Sequence, residues 1–216
     1  MSQHNTPQWV LDDLLTNFGQ VHLPAYVIDD YCDIIATNEA TVKLLEIDQT
    51  PALNLYTAMQ QPFGLNMMQF VFSPAAIYHF QERMGNQWYD YAYQNMMLFR
   101  AYSFSYRTTD YCRALLQQLR KYNQFRVFWE MTGYQEVWAS PLPYETFLLK
   151  TVTGGTLSFS STTITAVSAV GNLYLCMYVP VDPHTASVFQ QILAGCRSEM
   201  QRVDLCWPEK VVEQQE

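Results

Sequence analysis

The sequence predicts an α+β fold, in which a five-stranded antiparallel sheet carries a large helical insert packed on one face. Three observations lead to this prediction. Two short β-prone runs lie near the N-terminus, and three longer ones lie near the C-terminus. The segment between them, about residues 50–136, is rich in aromatic residues and methionine and has few β-branched runs, which favours helix. Hydrophobic residues make up 49% of the 216 positions, enough for one sizeable core.

The N-terminal part predicts a helix, a β-hairpin and a second helix. Thr6 and Pro7 supply a capping hydroxyl and a proline for the first helical position. The runs 24–28 and 33–37 are β-prone and flank an acidic turn, which is typical of a hairpin. Asn38 follows the second run and can cap the next helix.

The middle segment predicts three helices, over about residues 87–104, 108–122 and 123–132. The first of these is apolar or aromatic most of the way round. Such a helix is expected to be buried or to cover a cavity, because few of its faces suit contact with water.

The C-terminal part predicts a three-stranded meander and a last helix. Gly154 and Gly155 form a strong hairpin signal between the first two strands. Asp182 and Pro183 predict the start of a helix whose apolar spacing continues to Met200. The three strands are predicted over residues 144–152, 156–167 and 172–181.

Composition and charge disfavour several classes of protein. No apolar run approaches the roughly 18 residues of a membrane span, and the N-terminus lacks the pattern of a secretion signal. The five cysteines show no paired spacing, which fits a reducing compartment and predicts a cytoplasmic protein. A net charge of −8 disfavours direct binding to nucleic acid or to an anionic membrane surface.

One segment runs against this acidic balance. Residues 83–126 contain seven basic side chains and two acidic ones, a local charge of +5. These cations either form solvated helix faces or line a surface for something anionic.

No motif for catalysis stands out. The four histidines are far apart and none has the spacing of metal ligands. Walker and Rossmann glycine patterns are missing, and no local signature pairs a cysteine or serine with a base. We therefore expect no enzyme activity, no catalytic residues, no metal and no cofactor other than a bound apolar ligand such as a fatty acid.

The aromatic and methionine content has two interpretations, an ordinary core or a cavity for an apolar ligand between helices and sheet. Candidate residues for that cavity come from helical and strand segments. From the helical segment they are Met67, Met68, Phe72, Tyr93, Met96, Met97, Arg100 and Phe104. From the strands they are Phe147, Leu149, Leu173, Leu175 and Met177.

Arg100 is the one charged candidate. It shares a helix face with apolar side chains, and a guanidinium in such surroundings needs an anionic partner. The alternatives are a ligand carboxylate, Asp90, Asp110 or the C-terminus of a helix, or else exposure of the side chain to solvent.

Five stretches of sequence carry a resemblance to a known family. They are LPAYVI at 23–28, DIIATNEA at 33–40, NMMQFVFSP at 66–74, the helix from Trp88 to Arg100, and FRVFW at 125–129. The predicted layout resembles a PAS domain. In their order and spacing the five stretches resemble more closely the MmyB-like ligand-binding domain, a PAS variant usually attached to bacterial helix-turn-helix transcription regulators. The resemblance covers roughly residues 8–182.

The resemblance implies a regulatory sensor, whose relatives hold fatty-acid-like ligands between sheet and helices. The sequence departs from the family pattern in three ways. Thr37 replaces the tryptophan that precedes the asparagine, and the C-terminal helix is longer. The third departure is the missing DNA-binding module: the roughly 20 residues before the hairpin are too few for a three-helix DNA-binding domain, so we expect no direct contact with nucleic acid.

Together these observations predict one PAS-like domain over residues 1–205, with a helical insert at about 50–136 and a disordered tail at 206–216. The expected function is regulatory: the domain binds a small apolar ligand and signals to a protein partner or through a homodimer. A PAS-fold scaffold without ligand is the first alternative, and an enzyme is the second.

Overall fold

The chain forms an α+β fold with a six-stranded antiparallel sheet and eight α-helices in the part that the structure describes. The structure is a computed structural model. It describes residues 7–18, 21–47, 65–133, 146–151, 153–168, 170–197, 199–204, 207, 209 and 210.

The helices and strands alternate in blocks along the chain. The first block is α1 (Pro7–Phe18), β1 (Ala25–Asp29), β2 (Ile34–Asn38) and α2 (Glu39–Leu44). The helical block is α3 (Met67–Phe72), α4 (Pro74–Met84), α5 (Gln87–Tyr102), a 3₁₀ turn (Ser103–Tyr106), α6 (Asp110–Leu119) and α7 (Asn123–Thr132). The last block is β3 (Thr146–Lys150), β4 (Thr156–Ser168), β5 (Gly171–Pro180), α8 (Pro183–Ala194) and β6 (Met200–Arg202).

The sheet contains all five predicted strands in the order β3-β4-β5-β1-β2, and the prediction of five is corrected to six. The additional strand, β6, pairs with the free edge of β2 through Ala36 and Arg202. Met200 was expected on the last helix but lies in β6, because α8 ends at the cap residue Gly195. A three-residue strand has no periodic signal, and it forms here because β2 offers unpaired backbone groups.

Asn38 caps α2 as predicted and also ties the hairpin to the preceding loop. Its Oδ1 accepts hydrogen bonds from the backbone N of Thr41 at 3.0 Å and of Ala25 at 3.1 Å. Its Nδ2 donates to the carbonyl of Leu23 at 2.7 Å. One buried side chain thus fixes the start of β1 relative to the end of β2.

The two sheet faces pack against different partners. The larger core lies on the side of helices α3 to α7 and includes Tyr174, Cys176 and Tyr178 of β5. The smaller core lies on the other side, where α1 and Trp207 cover Leu173 and Leu175.

This arrangement reverses the face predicted for β5. Leu173, Leu175 and Met177 were expected to face the helical insert, but they lie on the α1 side of the sheet. The prediction that the three share one face of the strand is correct, because side chains alternate along a strand. The choice of side was wrong because α1 and Trp207 supply an apolar cover that local polarity does not reveal.

The helices of the insert match their predicted positions closely, and α7 begins and ends as expected. Residues 50–64 and 134–136, the predicted ends of the insert, lie outside the described residues. In the tail predicted to be disordered, Trp207 is buried and Lys210 forms ion pairs with the domain. Residues 206, 208 and 211–216 lie outside the described part. Of the helices that are described, none is long and apolar enough to span a bilayer.

Candidate ligand-binding site

Two adjoining cavities lie between the inner sheet face and the helical block. Both are small: the volume that the centre of a water molecule can occupy is about 30 Å³ in the first and about 50 Å³ in the second. The first is lined by Tyr26, Ile34, Thr37, Thr41, Val42, Leu45, Ile47, Leu65, Met67, Phe70, Phe80, Tyr91 and Tyr178. The second is lined by Tyr26, Ile28, Cys32, Met67, Met68, Tyr91, Gln94, Asn95, Leu98, Phe147, Ser161, Thr163, Cys176 and Tyr178.

Three buried tyrosines stand between the cavities, and we call them the tyrosine partition: Tyr26 of β1, Tyr91 of α5 and Tyr178 of β5. Each lines both cavities, together with Met67 of α3. The hydroxyl of Tyr178 lies near those of Tyr26 and Tyr91, and the rings of Tyr26 and Tyr178 are 5.8 Å apart. The partition therefore places a short chain of hydroxyl groups inside an otherwise apolar space.

Burial keeps these hydroxyls protonated. It raises the pKa of Tyr26 and of Tyr178 well above the ordinary value, and it raises the pKa of Tyr91 to about 12. Burial also raises the pKa of the neighbouring Cys176 thiol to about 11. At neutral pH all four groups are neutral and can both donate and accept hydrogen bonds.

The second cavity contains further neutral polar groups on α5 and β4. Asn95 Nδ2 donates to the carbonyl of Tyr91 at 2.8 Å, and the Thr163 hydroxyl lies 3.7 Å from Cys176 Sγ. Gln94 and Ser161 complete this side. The lining of both cavities, as far as the chain is described, contains no Asp, Glu, Lys, Arg or His.

Three of the predicted site residues meet at these cavities. Met67 lines both, and Met68 and Phe147 line the second. They come from α3 and β3, so helical insert and sheet both contribute, as expected. Methionine suits such a wall because its unbranched thioether adapts to irregular shapes.

Other predicted residues lie nearby without lining a cavity. Phe72 packs edge-on against Trp88 and Phe125 in the core, and the exposed Phe104 lies under the guanidinium of Arg107 at 4.3 Å. Of the rest, Met96 and Leu149 are buried, and Tyr93 and Met97 are half-buried. Together with Leu173, Leu175 and Met177 on the opposite sheet face, these residues belong to the surrounding packing.

Arg100 has a helix C-terminus as its partner, one of the alternatives that the sequence left open. Its Nε donates to the Thr132 hydroxyl at 2.8 Å, and its guanidinium also donates to the carbonyl of Trp129, both in the last turn of α7. The guanidinium lies 3.7 Å from the centre of the Trp129 ring. The side chain is 7% exposed and is not part of either cavity.

The tyrosine partition was missed by sequence reasoning. A signal for it existed: Tyr174, Cys176 and Tyr178 alternate on one face of β5, opposite the hydroxyl residues Ser161 and Thr163 of β4. A half-polar face suggested contact with water, whereas the aromatic insert buries it.

The hairpin turn, residues 29–33, holds a second buried polar cluster, which we call the acidic turn. Lys210 Nζ lies 2.6 Å from Asp29 Oδ2 and 2.7 Å from Asp33 Oδ2, with Asp204 at 3.4 Å. The Tyr111 hydroxyl donates to Asp33 at 2.6 Å. Burial raises the pKa of Asp29 to about 7, although Lys210 opposes this effect.

Asn66 links the acidic turn to the cavity wall. Its Nδ2 donates to Asp33 Oδ1 at 2.7 Å and to the Tyr31 carbonyl at 2.9 Å. Its Oδ1 caps α3 by accepting from the backbone N of Met68 at 2.9 Å. The cluster is an ion-pair network; the His, Cys, Asp and Glu side chains that the structure describes form no group suited to a metal ion.

Comparison with known proteins gives one match. The family model described as MmyB-like transcription regulator ligand binding domain matches residues 9–192 of the chain. This span includes both cavities and every element from α1 into α8. Among curated proteins, no match is found.

Proposed function

From the premise that this chain belongs to the family of MmyB-like transcription regulator ligand-binding domains, we propose that it binds a small apolar ligand in the two cavities beside the tyrosine partition. Family membership makes it a regulatory ligand-binding domain. The observation that supports this particular site is the lining, which is mainly aliphatic, aromatic and methionine side chains with a few hydroxyl and amide groups. Small-molecule sites in proteins have this composition.

The shape of the space favours an extended ligand. Each cavity alone is narrow, but the two share Tyr26, Met67, Tyr91 and Tyr178, so movement of a few side chains joins them. A joined apolar space would suit a fatty-acid-like chain, because burying each methylene group contributes about 0.8 kcal/mol.

The sheet supports a PAS-like interpretation of the fold. The five predicted strands lie in the order β3-β4-β5-β1-β2, with the helical block against one face, and β6 adds to the β2 edge. In this interpretation the ligand lies between sheet and helices. The domain then acts as a sensor in the cytoplasm, not as an enzyme, and passes a change of shape to a protein partner or a second copy of itself.

The test is ligand retention and ligand-dependent melting. Purified protein is analysed by native mass spectrometry and solvent extraction, and its melting temperature is measured with a series of fatty acids and related apolar compounds. We expect a bound apolar compound or a melting shift that grows with chain length. Protein that is ligand-free and shows no shift with any member of the series refutes the proposal.

A matched pair of variants locates the site. Leu98→Trp places a larger ring at the half-buried rim of the second cavity and should reduce the melting shift. Leu148→Trp makes the same change at an exposed position of β3 outside both cavities and should leave the shift unchanged. Equal shifts in the two variants would place the ligand elsewhere.

A scaffold without ligand is the second candidate, because the open space is narrow before any side chain moves. Under this alternative the protein binds a specific protein partner with unchanged affinity in the Leu98→Trp variant. A ligand-dependent change in that affinity would exclude the scaffold.

A further inference from the structure

We infer that the ligand is uncharged where it enters the cavities, so that its polar end is an alcohol, an ester or a protonated acid and not a carboxylate. This inference rests on the proposed function and goes further by naming the chemical class of the ligand. It follows from which groups line the cavities and from where the buried cations lie.

The described part of the cavity lining offers no countercharge. The described side chains that line the two spaces are all neutral, and the titratable ones are phenols and thiols. A carboxylate moved from water into such a site loses several kcal/mol of solvation free energy unless a nearby cation compensates for the loss. A neutral head group avoids this loss.

Three largely buried cations of the described chain already have partners. Arg83 forms an ion pair with Glu46 at 3.2 Å and donates to the carbonyls of Leu44 and Leu45. Arg100 is held by the C-terminus of α7. Lys210 is held in the acidic turn. Recruiting any of them would leave buried acceptors without their donors, which costs more than a surface ion pair returns.

The tyrosine partition suits a neutral head group instead. Each phenol hydroxyl carries one donor and two acceptor sites, so a chain of three hydroxyls can rearrange to accept from an alcohol or to donate to an ester or acid carbonyl. Cys176 and Asn95 lie beside the chain and add further neutral partners. A ligand oxygen placed near Tyr178 could hydrogen-bond to these hydroxyls without separating an ion pair.

The experiment compares three ligands that differ only at the head group: decanol, methyl decanoate and decanoic acid. Affinities for the full chain are measured by calorimetry between about pH 6 and about pH 8, with melting shifts as a second readout. At about pH 8 we expect decanol and the ester to bind at least about tenfold more tightly than decanoate. As the pH falls, the affinity for the acid should rise by up to about tenfold per unit while that for decanol stays level.

The protein's own groups should not produce this dependence. Among the residues that the structure describes, the titratable groups facing the cavities are Tyr26 of β1, Cys32 of the acidic turn, Tyr91 of α5, and Cys176 and Tyr178 of β5. Burial raises the pKa of each, so all remain neutral over this range. Decanol provides the internal control, because any titration of the protein, including that of Asp29, would change its affinity as well.

A variant pair tests the role of the hydroxyl chain. Tyr178→Phe should weaken decanol binding by roughly three- to tenfold, the loss of one hydrogen bond. Tyr174→Phe removes a hydroxyl from the same face of the same strand, but that hydroxyl donates to Asp30 outside both cavities, so decanol binding should not change.

Two outcomes overturn the proposal in distinguishable ways. If decanoate binds as tightly as decanol, or more tightly, at about pH 8, the ligand is not neutral in the site although an apolar ligand does bind. If none of the three compounds binds and no related compound is retained, the proposed function itself fails and the inference fails with it.

Discussion

Replacing Lys210 by methionine should destabilise the domain far more than a surface lysine substitution. Lys210 Nζ lies between Asp29 and Asp33, whose side chains are 5% and 3% exposed. Methionine keeps the length and apolar stem of the side chain but removes the ammonium group. Two carboxylates then face each other in a buried site without their cation.

The magnitude follows from this geometry. Removing one partner of a buried ion pair typically costs about 3–5 kcal/mol, because the remaining charge stays desolvated and unpaired. The Tyr111 hydroxyl and Asn66 still donate to Asp33, so that carboxylate keeps part of its stabilisation. We therefore expect a loss of about 3 kcal/mol in the free energy of unfolding near pH 8.

Urea denaturation followed by circular dichroism measures this difference, and Lys121→Met is the matched control. Lys121 is exposed and its Nζ donates to Gln118 on the surface, so its replacement should change stability by less than about 0.5 kcal/mol. Equal losses in the two variants would show that Lys210 is not held in the acidic turn and would refute the reasoning.

The pH dependence of the free energy of unfolding provides an independent check. The pKa of Asp29 is raised to about 7 in the folded protein, so the folded state binds more protons than the unfolded state from about pH 4 to about pH 7. This group's contribution to stability therefore falls as the pH rises through that window. Loss of Lys210 raises the pKa of Asp29 further, because Lys210 lowers it. The difference in the free energy of unfolding between wild type and Lys210→Met should therefore decrease as the pH is lowered from about 8 to about 6, because a protonated Asp29 no longer needs the cation.

Three further predictions concern residues whose contacts are already fixed by the fold. Arg100→Met should lower the free energy of unfolding by about 2–3 kcal/mol, because carbonyl and hydroxyl acceptors at the end of α7 lose a charged donor. Ligand-induced melting shifts should stay unchanged, and loss of the shift would show that Arg100 takes part in ligand binding. Asn38→Ala should cost about 2 kcal/mol in urea denaturation, since a helix cap and two buried loop hydrogen bonds disappear together, and a loss below about 0.5 kcal/mol would contradict the capping role. Phe72→Ala should cost about 3–5 kcal/mol, whereas Phe104→Ala at a half-exposed position should cost about 1 kcal/mol or less, and similar values for the two would contradict their different burial.

The sequence predicted the five long strands because alternation and turn chemistry are local signals. Gly154 and Gly155, for example, predicted the β3–β4 hairpin that the structure contains. Strand β6 could not be predicted in this way. It has three residues, and it depends on the open edge of β2, far away in the chain. Pairings that depend on a distant partner leave little trace in local composition.

The site was predictable only in part for a related reason. Met67, Met68 and Phe147 were predicted to face the interior from their helical or strand spacing, and they line the second cavity. The tyrosine partition was not, because local polarity suggested that its face of β5 meets water. Periodicity determines which residues share a face, but not which neighbouring element covers that face. For Arg100 several partners were possible from the sequence, and only the packing of α5 against α7 selects among them.

Asn66 has a mechanical consequence for the domain. Its side-chain Nδ2 donates to Asp33 and Tyr31 of the hairpin. Its side-chain Oδ1 accepts from the backbone N of Met68, a cavity-lining residue in the first turn of α3. The backbone N of Met67 is also bonded to the carbonyl of Cys32 at 2.8 Å. Three hydrogen bonds thus join the tip of the hairpin to the start of α3, so a displacement of one is transmitted to the other.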